Sequence, residues 1–293
     1  MKKILALLMA IVMALSLAAC GGNSNNENNG DDSNAEGNVT PTVSFSEQVV
    51  LDNDYCTVKA VGFDAKALMG PTLKVEVANK SADTNILATA KYVAINGMQV
   101  EIAFAATAEA GESQKGNIVF PKGSMKKWGV TDITDIFLAF DITKDGDWSG
   151  AVLESGSNHV YTTTRENATV FSRPAKDTDI VLLDNDDVKI ILDSYDPANQ
   201  WGYAANIYII NKSDDILSLT GKDSTVNGYS VDPEWSFVLN PGMTAFDEIV
   251  WDYFDMDDFG IVSMNRMTLT INGFHTATNE SLFEEEVIFE PNK

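Results

Sequence analysis

The chain repeats itself at a spacing of about 132 residues, and this internal repeat constrains the fold more than any other feature. Short motifs of the first half recur in the same order in the second half: Leu51-Asp52-Asn53-Asp54 as Leu183-Asp184-Asn185-Asp186, Asn79-Lys80-Ser81 as Asn211-Lys212-Ser213, Asn96-Gly97 as Asn227-Gly228, and Gly129-Val130 as Gly260-Ile261. Matches in one order and nearly one register are typical of a duplicated domain. We therefore expect one domain at 47–173 and a second at 174–293, joined near Ser172-Arg173-Pro174.

Each copy carries the pattern of β-strands. Apolar and polar residues alternate over 55–60 in the first copy and over 187–192 in the second, which is the period of a strand with one buried face. Each Asn-Lys-Ser motif closes a further strand, and each Asn-Gly pair predicts a tight turn. The helical pattern is limited to one short turn per copy, near 123–129 and 255–260. Many short strands without a long helical period predict an all-β sandwich in each copy.

Four of these features together resemble a known kind of module. They are the Leu-Asp-Asn-Asp opening, the strand that ends in Asn-Lys-Ser, the Asn-Gly turn, and the late Gly-Val or Gly-Ile before a strand. The chain over 47–293 resembles the immunoglobulin-like modules of uncharacterised function that recur in lipoproteins of Gram-positive bacteria. The resemblance implies two tandem immunoglobulin-like β-sandwich domains, and it brings no catalytic residues. Because the antibody signature of two cysteines around a tryptophan is absent, any kinship with antibody domains is architectural.

The amino-terminal residues have the features of an export signal. Lys2 and Lys3 precede an apolar stretch over 4–15, and the stretch ends in Leu17-Ala18-Ala19-Cys20. This ending resembles the lipobox of bacterial lipoproteins, which implies that 1–19 is a signal peptide and that Cys20 carries two acyl chains. Two chains are enough for stable membrane anchoring. We expect a protein anchored on the extracytoplasmic face of the cell membrane, most consistent with a Gram-positive cell surface.

Residues 20–46 are expected to form a flexible tether. This segment is rich in asparagine and nearly free of apolar residues, so it cannot bury enough surface to offset the entropy of ordering. After the tether, the chain is strongly acidic. The first copy carries 12 basic and 16 acidic residues, whereas the second carries 6 and 23. This charge argues against nucleic acid and against anionic membrane surfaces as partners, and it favours cations or basic surfaces.

Comparing the two copies separates structural residues from candidate functional ones. Large aromatic residues with an aromatic equivalent are predicted to lie in the core: Phe63 with Tyr195, Phe104 with Trp235, Phe120 with Trp251, and Trp128 with Phe259. Cys56 corresponds to Val188 on an apolar face, so we expect a buried and unreactive thiol. With Cys20 assigned to lipid attachment, Cys56 has no partner for a disulfide within the chain.

Aromatic residues without an aromatic equivalent are the candidate ligand contacts. Trp201, Tyr203 and Tyr229 of the second copy correspond to Met69, Pro71 and Met98. Exposed Trp and Tyr side chains bind sugars or proteins at a low entropy cost, so these three residues form the predicted ligand-binding surface. The alternative is that they fill a contact between the domains or cap one end of a sandwich.

Charge also differs between equivalent positions. Lys126-Lys127 of the first copy corresponds to Asp257-Asp258 of the second. Opposite charges at equivalent sites would let the two domains dock, or would let domain 1 of one molecule meet domain 2 of another. The alternative is that these are two solvated turns that diverged.

Motifs for catalysis or for a cofactor are missing from the sequence. His159 and His275 are not equivalent in the repeat, and neither has a second ligand at metal-binding spacing. No nucleophile elbow or phosphate-binding glycine loop occurs, so we expect no enzyme activity and no cofactor. Asp145, Asp147 and Ser149 resemble the first half of an EF-hand loop, but its twelfth position is Gly156 and not Glu. A weak calcium site is the most that this turn predicts.

The sequence therefore predicts a non-enzymatic binding or adhesion protein that is anchored to the membrane through Cys20. The expected ligand is an extracellular protein, peptide or glycan. Nucleic acid is not an expected partner. Two alternatives remain open: a structural or scaffolding envelope lipoprotein without a soluble ligand, and a calcium-responsive module.

Overall fold

The computed structural model describes residues 45–147 and 149–291, and this part of the chain is all-β, as predicted. The strands of the first repeat (47–173) are β1 (Gln48–Asp52), β2 (Cys56–Asp64), β3 (Thr72–Asn79), β4 (Ile86–Ile95), β5 (Met98–Val100), β6 (Ala105–Ala108), β7 (Ser113–Val119), β8 (Asp135–Lys144) and β9 (Val152–Tyr161). Those of the second repeat (174–293) are β10 (Ile180–Asp184), β11 (Val188–Asp196), β12 (Gly202–Asn211), β13 (Leu217–Val226), β14 (Tyr229–Ser230), β15 (Ser236–Leu239), β16 (Thr244–Asp252), β17 (Met267–His275) and β18 (Ser281–Phe289). Helices α1 (Lys122–Trp128) and α2 (Tyr253–Asp258) lie where the sequence predicts short helical turns.

The two repeats have the same strand order and the same strand pairing. In the first repeat, one sheet has the order β1-β2-β3-β7, and the other is built on β4, which pairs with β5, β6 and β8, while β8 pairs with β9. The second repeat reproduces both sheets, as β10-β11-β12-β16 and as β13 with β14, β15 and β17, and β17 with β18. This agreement, strand for strand, is what a sequence duplication would produce.

Each repeat encloses its own apolar core between its two sheets. Alternate residues of the strands point inward, for example Val58 and Val75 in the first core and Ile190 and Ile207 in the second, all 0% exposed. Burying each such side chain stabilises the fold by about 1.5–3 kcal/mol. Cys56 is also fully buried, and burial raises the pKa of its thiol to about 11, so the thiol is protonated and unreactive.

The predicted core aromatics lie in or against these cores, with one exception. Phe104, Phe120, Trp235 and Trp251 are buried, while Phe63, Trp128 and Tyr195 are partly buried and pack against the core residues. The prediction for Phe259 was wrong, because this residue is 48% exposed. It follows helix α2 at the surface, and its ring contacts that of Tyr229 in a tilted arrangement, with centroids 5.4 Å apart.

The repeated Asn-Lys-Ser motif is a buried backbone cap. The side-chain amide of Asn211 donates to the carbonyl oxygens of Asp215, Leu239 and Asn240 at 2.9–3.1 Å, and its Oδ1 accepts from the Ser213 N–H at 2.9 Å. Asn79 makes the equivalent contacts to Thr84, Ala108, Glu109 and Ser81. Both residues are at most 5% exposed. One side chain thus satisfies carbonyl groups that would otherwise be buried without partners.

The lysine of this motif ties it to the repeated Leu-Asp-Asn-Asp opening. Lys80 Nζ lies 2.6 Å from Asp52 Oδ1 and 2.6 Å from the Asn53 carbonyl oxygen. Lys212 contacts Asp184 and Asn185 in the same way. The two motifs that reveal the duplication are therefore one structural unit in each repeat.

The repeats are joined through a strand edge. Residues Thr244 and Ala245 at the start of β16 pair in parallel with Met98 and Gln99 of β5, which merges two sheets into one nine-stranded sheet with the path β10-β11-β12-β16-β5-β4-β8-β9. Gln99 adds side-chain hydrogen bonds to the second repeat: its Nε2 donates to the Val238 carbonyl oxygen at 2.6 Å. The described residues of both repeats lie in one compact unit, so the predicted division into domains at residue 173 stays a prediction.

The connection between the repeats packs tightly against this joint. The Phe171 ring contacts the rings of Tyr208 and Phe246, with centroids 6.4 and 6.1 Å away. The Arg173 guanidinium, whose side chain is 5% exposed, binds the carboxylates of Asp179 and Asp193 and lies 5.6 Å from the centre of the Tyr208 ring. The hydrogen bond from Arg173 lowers the pKa of Asp179 to about 2. These contacts hold the two repeats in one arrangement.

We predict that Asn211→Ala will destabilise the protein by about 2–4 kcal/mol, because several buried carbonyl groups lose their donor. Urea unfolding of residues 43–293 measures the change. Asn117→Ala on exposed β7 is the matched control, and its effect should stay within about 0.5 kcal/mol. Equal effects of the two substitutions would contradict the role of Asn211 as a cap.

Candidate functional site

The connections at one end of the second repeat form an aromatic surface. They are the β11–β12 loop (197–201), the β13–β14 turn (227–228) and the segment 253–266, which contains α2. The strand register brings them together, because Gly202 pairs with Asp252, and Met267 pairs with both Val226 and Phe289. We call this the aromatic end.

The aromatic end contains an open cleft with a volume of about 720 Å³. Its walls include the side chains of Tyr195, Tyr203, Tyr253, Met256, Ile261 and Val262. Four further surface clefts of the described residues have smaller volumes, of 360–480 Å³. The volume of about 720 Å³ and the mostly apolar walls are typical of a site for a small molecule or for a few side chains of a partner.

Local backbone chemistry positions the walls of the cleft. The Asp252 carboxylate caps α2 by accepting from the Phe254 N–H at 2.7 Å, and the Tyr253 hydroxyl donates to the Pro197 carbonyl oxygen at 2.7 Å. Gly202 lets β12 approach β16, since a Cβ there would lie 1.9 Å from the Trp251 carbonyl oxygen. Tyr203 then packs its ring 5.8 Å from that of Tyr195.

The three predicted contact residues all lie at the aromatic end, but they do not form a single wall. Tyr203 lines the cleft and is half-buried. Trp201 lies beside it with its side chain in solvent (61% exposed), and its carbonyl oxygen accepts from the Tyr253 N–H at 3.3 Å. Tyr229 is 50% exposed, and its ring contacts that of Phe259, which follows α2. Tyr229 is not part of the cleft wall.

Sequence comparison of the two copies missed several exposed apolar residues at this end. Val262 is 96% exposed and Phe254 is 81% exposed. Val262 belongs to no recognisable pattern, but Phe254 and Tyr253 both lack an aromatic equivalent, since their counterparts are Gly123 and Lys122. The aromatic end is thus more apolar than Trp201, Tyr203 and Tyr229 alone indicate.

The aromatic end is also acidic. Helix α2 carries Asp255, Asp257 and Asp258 and no basic residue, and Asp257 lines the cleft. Helix α1, its equivalent in the first repeat, carries Lys122, Lys126 and Lys127 and no acidic residue. An apolar cleft with carboxylates at its edge favours ligands that combine apolar and cationic groups.

A second cleft, of about 480 Å³, lies between the repeats and is polar. Its walls include Lys127 and Trp128 of the first repeat and Asp193, Asp247 and Glu248 of the second. Although Lys127 and Asp193 face the same cleft, the acidic pair Asp257-Asp258 does not line it. The equivalent charges noted in the sequence therefore do not pair with each other across the two repeats of one molecule.

Asp247 is the most perturbed carboxyl group of this second cleft. Burial raises the pKa of Asp247 to about 6, and the nearby carboxylates of Glu101 and Glu248 act in the same direction. The Trp235 indole N–H opposes the shift by donating to Asp247 Oδ2 at 2.7 Å. Above this pKa Asp247 is mostly ionised although it is buried, and its charge lowers the stability of the folded chain.

The predicted calcium turn is held by its own hydrogen bonds. Asp147 Oδ1 accepts from the Ser149 N–H at 2.9 Å, and hydrogen bonds from Ser149 lower the pKa of Asp147. Asp145 and Asp147 are exposed. Within residues 45–147 and 149–291, no group of three or more His, Cys, Asp or Glu side chains is arranged to hold a metal ion. Calcium binding stays a prediction.

The predicted lipidation site, Cys20, lies outside the described residues, as do the signal peptide and nearly all of the tether. Across the described part of the chain, neither helix has the length and apolar character needed to cross a membrane. No protein-family model and no curated protein matches the chain. The resemblance to immunoglobulin-like lipoprotein modules therefore stays a prediction.

We predict that Asp247→Asn will stabilise the protein at about pH 8 by up to about 3 kcal/mol, since the pKa difference between about 6 folded and 3.8 unfolded sets the limit. The amide keeps an acceptor for the Trp235 indole. Wild type regains this stability as the pH falls through 6 towards 3.8, because the folded state binds the proton more tightly. Urea unfolding across this range measures both proteins, and a difference that does not shrink with falling pH would contradict the assignment.

Proposed function

We propose that this protein is a lipid-anchored extracytoplasmic binding or adhesion protein without enzyme activity, and that its ligand contacts the aromatic end of the second repeat. The observation that supports the proposal most strongly is the apolar cleft of about 720 Å³ beside exposed aromatic side chains. Attachment to the membrane at Cys20 and kinship with immunoglobulin-like modules, both implied by resemblance, are part of the same proposal.

Clustering distinguishes the aromatic end from ordinary surface. A single exposed apolar residue is common on soluble proteins and needs no explanation. At this end, however, several aromatic and apolar residues in or directly beside the three connections are all at least 40% exposed: Trp201, Tyr229, Tyr253, Phe254, Phe259 and Val262. Contiguous apolar surface of this kind marks interaction sites. Since α2 places carboxylates among these residues, the favoured ligand is a protein or peptide with basic groups.

A second candidate function is a structural or scaffolding role, and the joint between the repeats favours it. The nine-stranded sheet, the packed Phe171 ring and the Arg173 ion pairs hold the repeats in one arrangement, as a spacer would require. No comparable observation favours the calcium-responsive alternative, which depends on the exposed turn at 145–149 alone.

A thermal-shift panel on residues 43–293 tests the proposal, using calcium, cell-wall fragments, glycans and basic peptides. A ligand at about one hundred times its dissociation constant stabilises the folded state by about 2.7 kcal/mol, which corresponds to roughly 5–10 °C for a chain of this size. We expect a saturable shift with basic peptides.

The variant with Trp201→Ala, Tyr203→Ala and Tyr229→Ala should lose this shift while its unliganded protein still melts cooperatively. Tyr55→Ala, at a 37% exposed tyrosine of the first repeat, is the matched control and should keep the shift. A shift that survives the triple substitution would place the ligand elsewhere. A flat panel combined with co-purification in an envelope complex would support the scaffold.

A further inference from the structure

The first repeat carries an exposed basic and apolar surface at the end equivalent to the aromatic end. The β2–β3 loop holds Leu68 and Met69 in solvent, 87% and 72% exposed. The Lys122 N–H donates to the Met69 carbonyl oxygen at 3.2 Å, so helix α1 begins beside this loop. Lys66, Lys122 and Lys126 are exposed on the same loop and helix. We call these five residues the basic knob.

The aromatic end is complementary to the basic knob in both apolar character and charge. Its cleft has apolar walls and more volume than two side chains need, and Met is a flexible side chain that adapts to irregular clefts. Asp255, Asp257 and Asp258 of α2 occupy the part of the fold where α1 carries its lysines. Met69 and Trp201 are also equivalent positions.

We propose that the cleft of the aromatic end binds the basic knob of a second copy of this chain. The proposal rests on the proposed function, because it names the partner of the same cleft. Within one copy Leu68 and Met69 remain almost fully exposed, so the knob does not fill the cleft of its own chain. Lys127 is not part of the knob because it lines the cleft between the repeats.

Net charge selects between the possible pairings of two copies. The second repeat carries 6 basic and 23 acidic residues, whereas the first carries 12 and 16. Contact between two aromatic ends would bring the aspartates of two α2 helices together, and this is disfavoured. Contact between a knob and a cleft brings lysines to aspartates. Each contact therefore joins two different surfaces. The pairing produces either a two-fold symmetric dimer with two reciprocal contacts or an open chain of copies with one contact between neighbours.

The contact should be weak in dilute solution and stronger where copies share a surface. Each copy is acidic overall, so long-range repulsion opposes the local attraction between lysines and aspartates. Copies attached to one membrane through Cys20, as proposed above, would be held at a high effective concentration. Salt should weaken the association, because the charged pairs lie at the surface.

Sedimentation velocity on residues 43–293, from about 1 µM to about 1 mM, tests the proposal. We expect concentration-dependent association of the wild type. The knob variant with Leu68→Ser and Met69→Ser and the cleft variant Val262→Lys should each weaken association about tenfold or more. All three substituted residues are at least 72% exposed, so the folded state should be preserved, and cooperative melting checks this.

The decisive measurement mixes the two variants. The knob variant keeps an intact cleft, and the cleft variant keeps an intact knob, so an equimolar mixture should form one-to-one dimers and nothing larger. A charge exchange provides an independent test: Lys122→Asp with Lys126→Asp, and Asp255→Lys with Asp257→Lys, should each dissociate alone and associate when mixed. Val152→Ser, a 48% exposed apolar residue at the opposite end of the first repeat, is the matched control.

Three results would overturn the proposal: wild type that stays monomeric at all concentrations, association that survives in the knob variant, or variants that do not associate when mixed. The thermal-shift panel separates this failure from failure of the proposed function. A monomeric protein whose melting temperature still rises with basic peptides keeps a binding cleft with a different partner. A monomeric protein with a flat panel loses both proposals.

Discussion

The arrangement of the two repeats depends on how one strand edge of each repeat is paired. An unpaired edge presents N–H and C=O groups that attract another strand. In this chain, β5 of the first repeat and β16 of the second satisfy each other over only Met98, Gln99, Thr244 and Ala245. Two sheets thereby become one, and the Phe171 ring and the Arg173 guanidinium pack against the junction. The cleft between the repeats and the raised pKa of Asp247 both follow from this pairing.

The two repeats share the buried hydrogen bonds of their turns but differ in the residues of their exposed ends. Asn79 and Asn211 make the same backbone contacts in the two repeats, because buried carbonyl groups tolerate little change. Solvent-facing ends carry no such constraint. The basic knob of the first repeat is therefore basic, and the equivalent aromatic end of the second repeat is acidic. Met69 and Trp201, at equivalent loop positions, are both exposed. Two copies of one sandwich thus carry opposite charges at equivalent exposed ends.

Local sequence chemistry predicted the parts of the fold that are decided locally. The Asn-Gly turns at 96–97 and 227–228 have the positive φ angles of tight hairpins, and the short helices lie where expected. The merged sheet could not be predicted, because the pairing of β5 with β16 joins residues about 146 positions apart without a local signal. Phe259 was misassigned because similarity to Trp128 indicates an equivalent position and not burial. The sequence predicted only part of the cleft, because the other residues of its walls are brought together around α2 by the tertiary fold.

The parallel pairing between the repeats also has a mechanical consequence. When the two ends of the described chain are pulled apart, the load between the repeats passes through the joint as well as through the connecting segment. A two-residue strand pair yields to force more readily than the long antiparallel pairs inside each sandwich. Once the joint opens and Phe171 leaves its place, residues 162–179 can extend to a total span of about 60 Å. The molecule would then lengthen under tension while both cores stay folded.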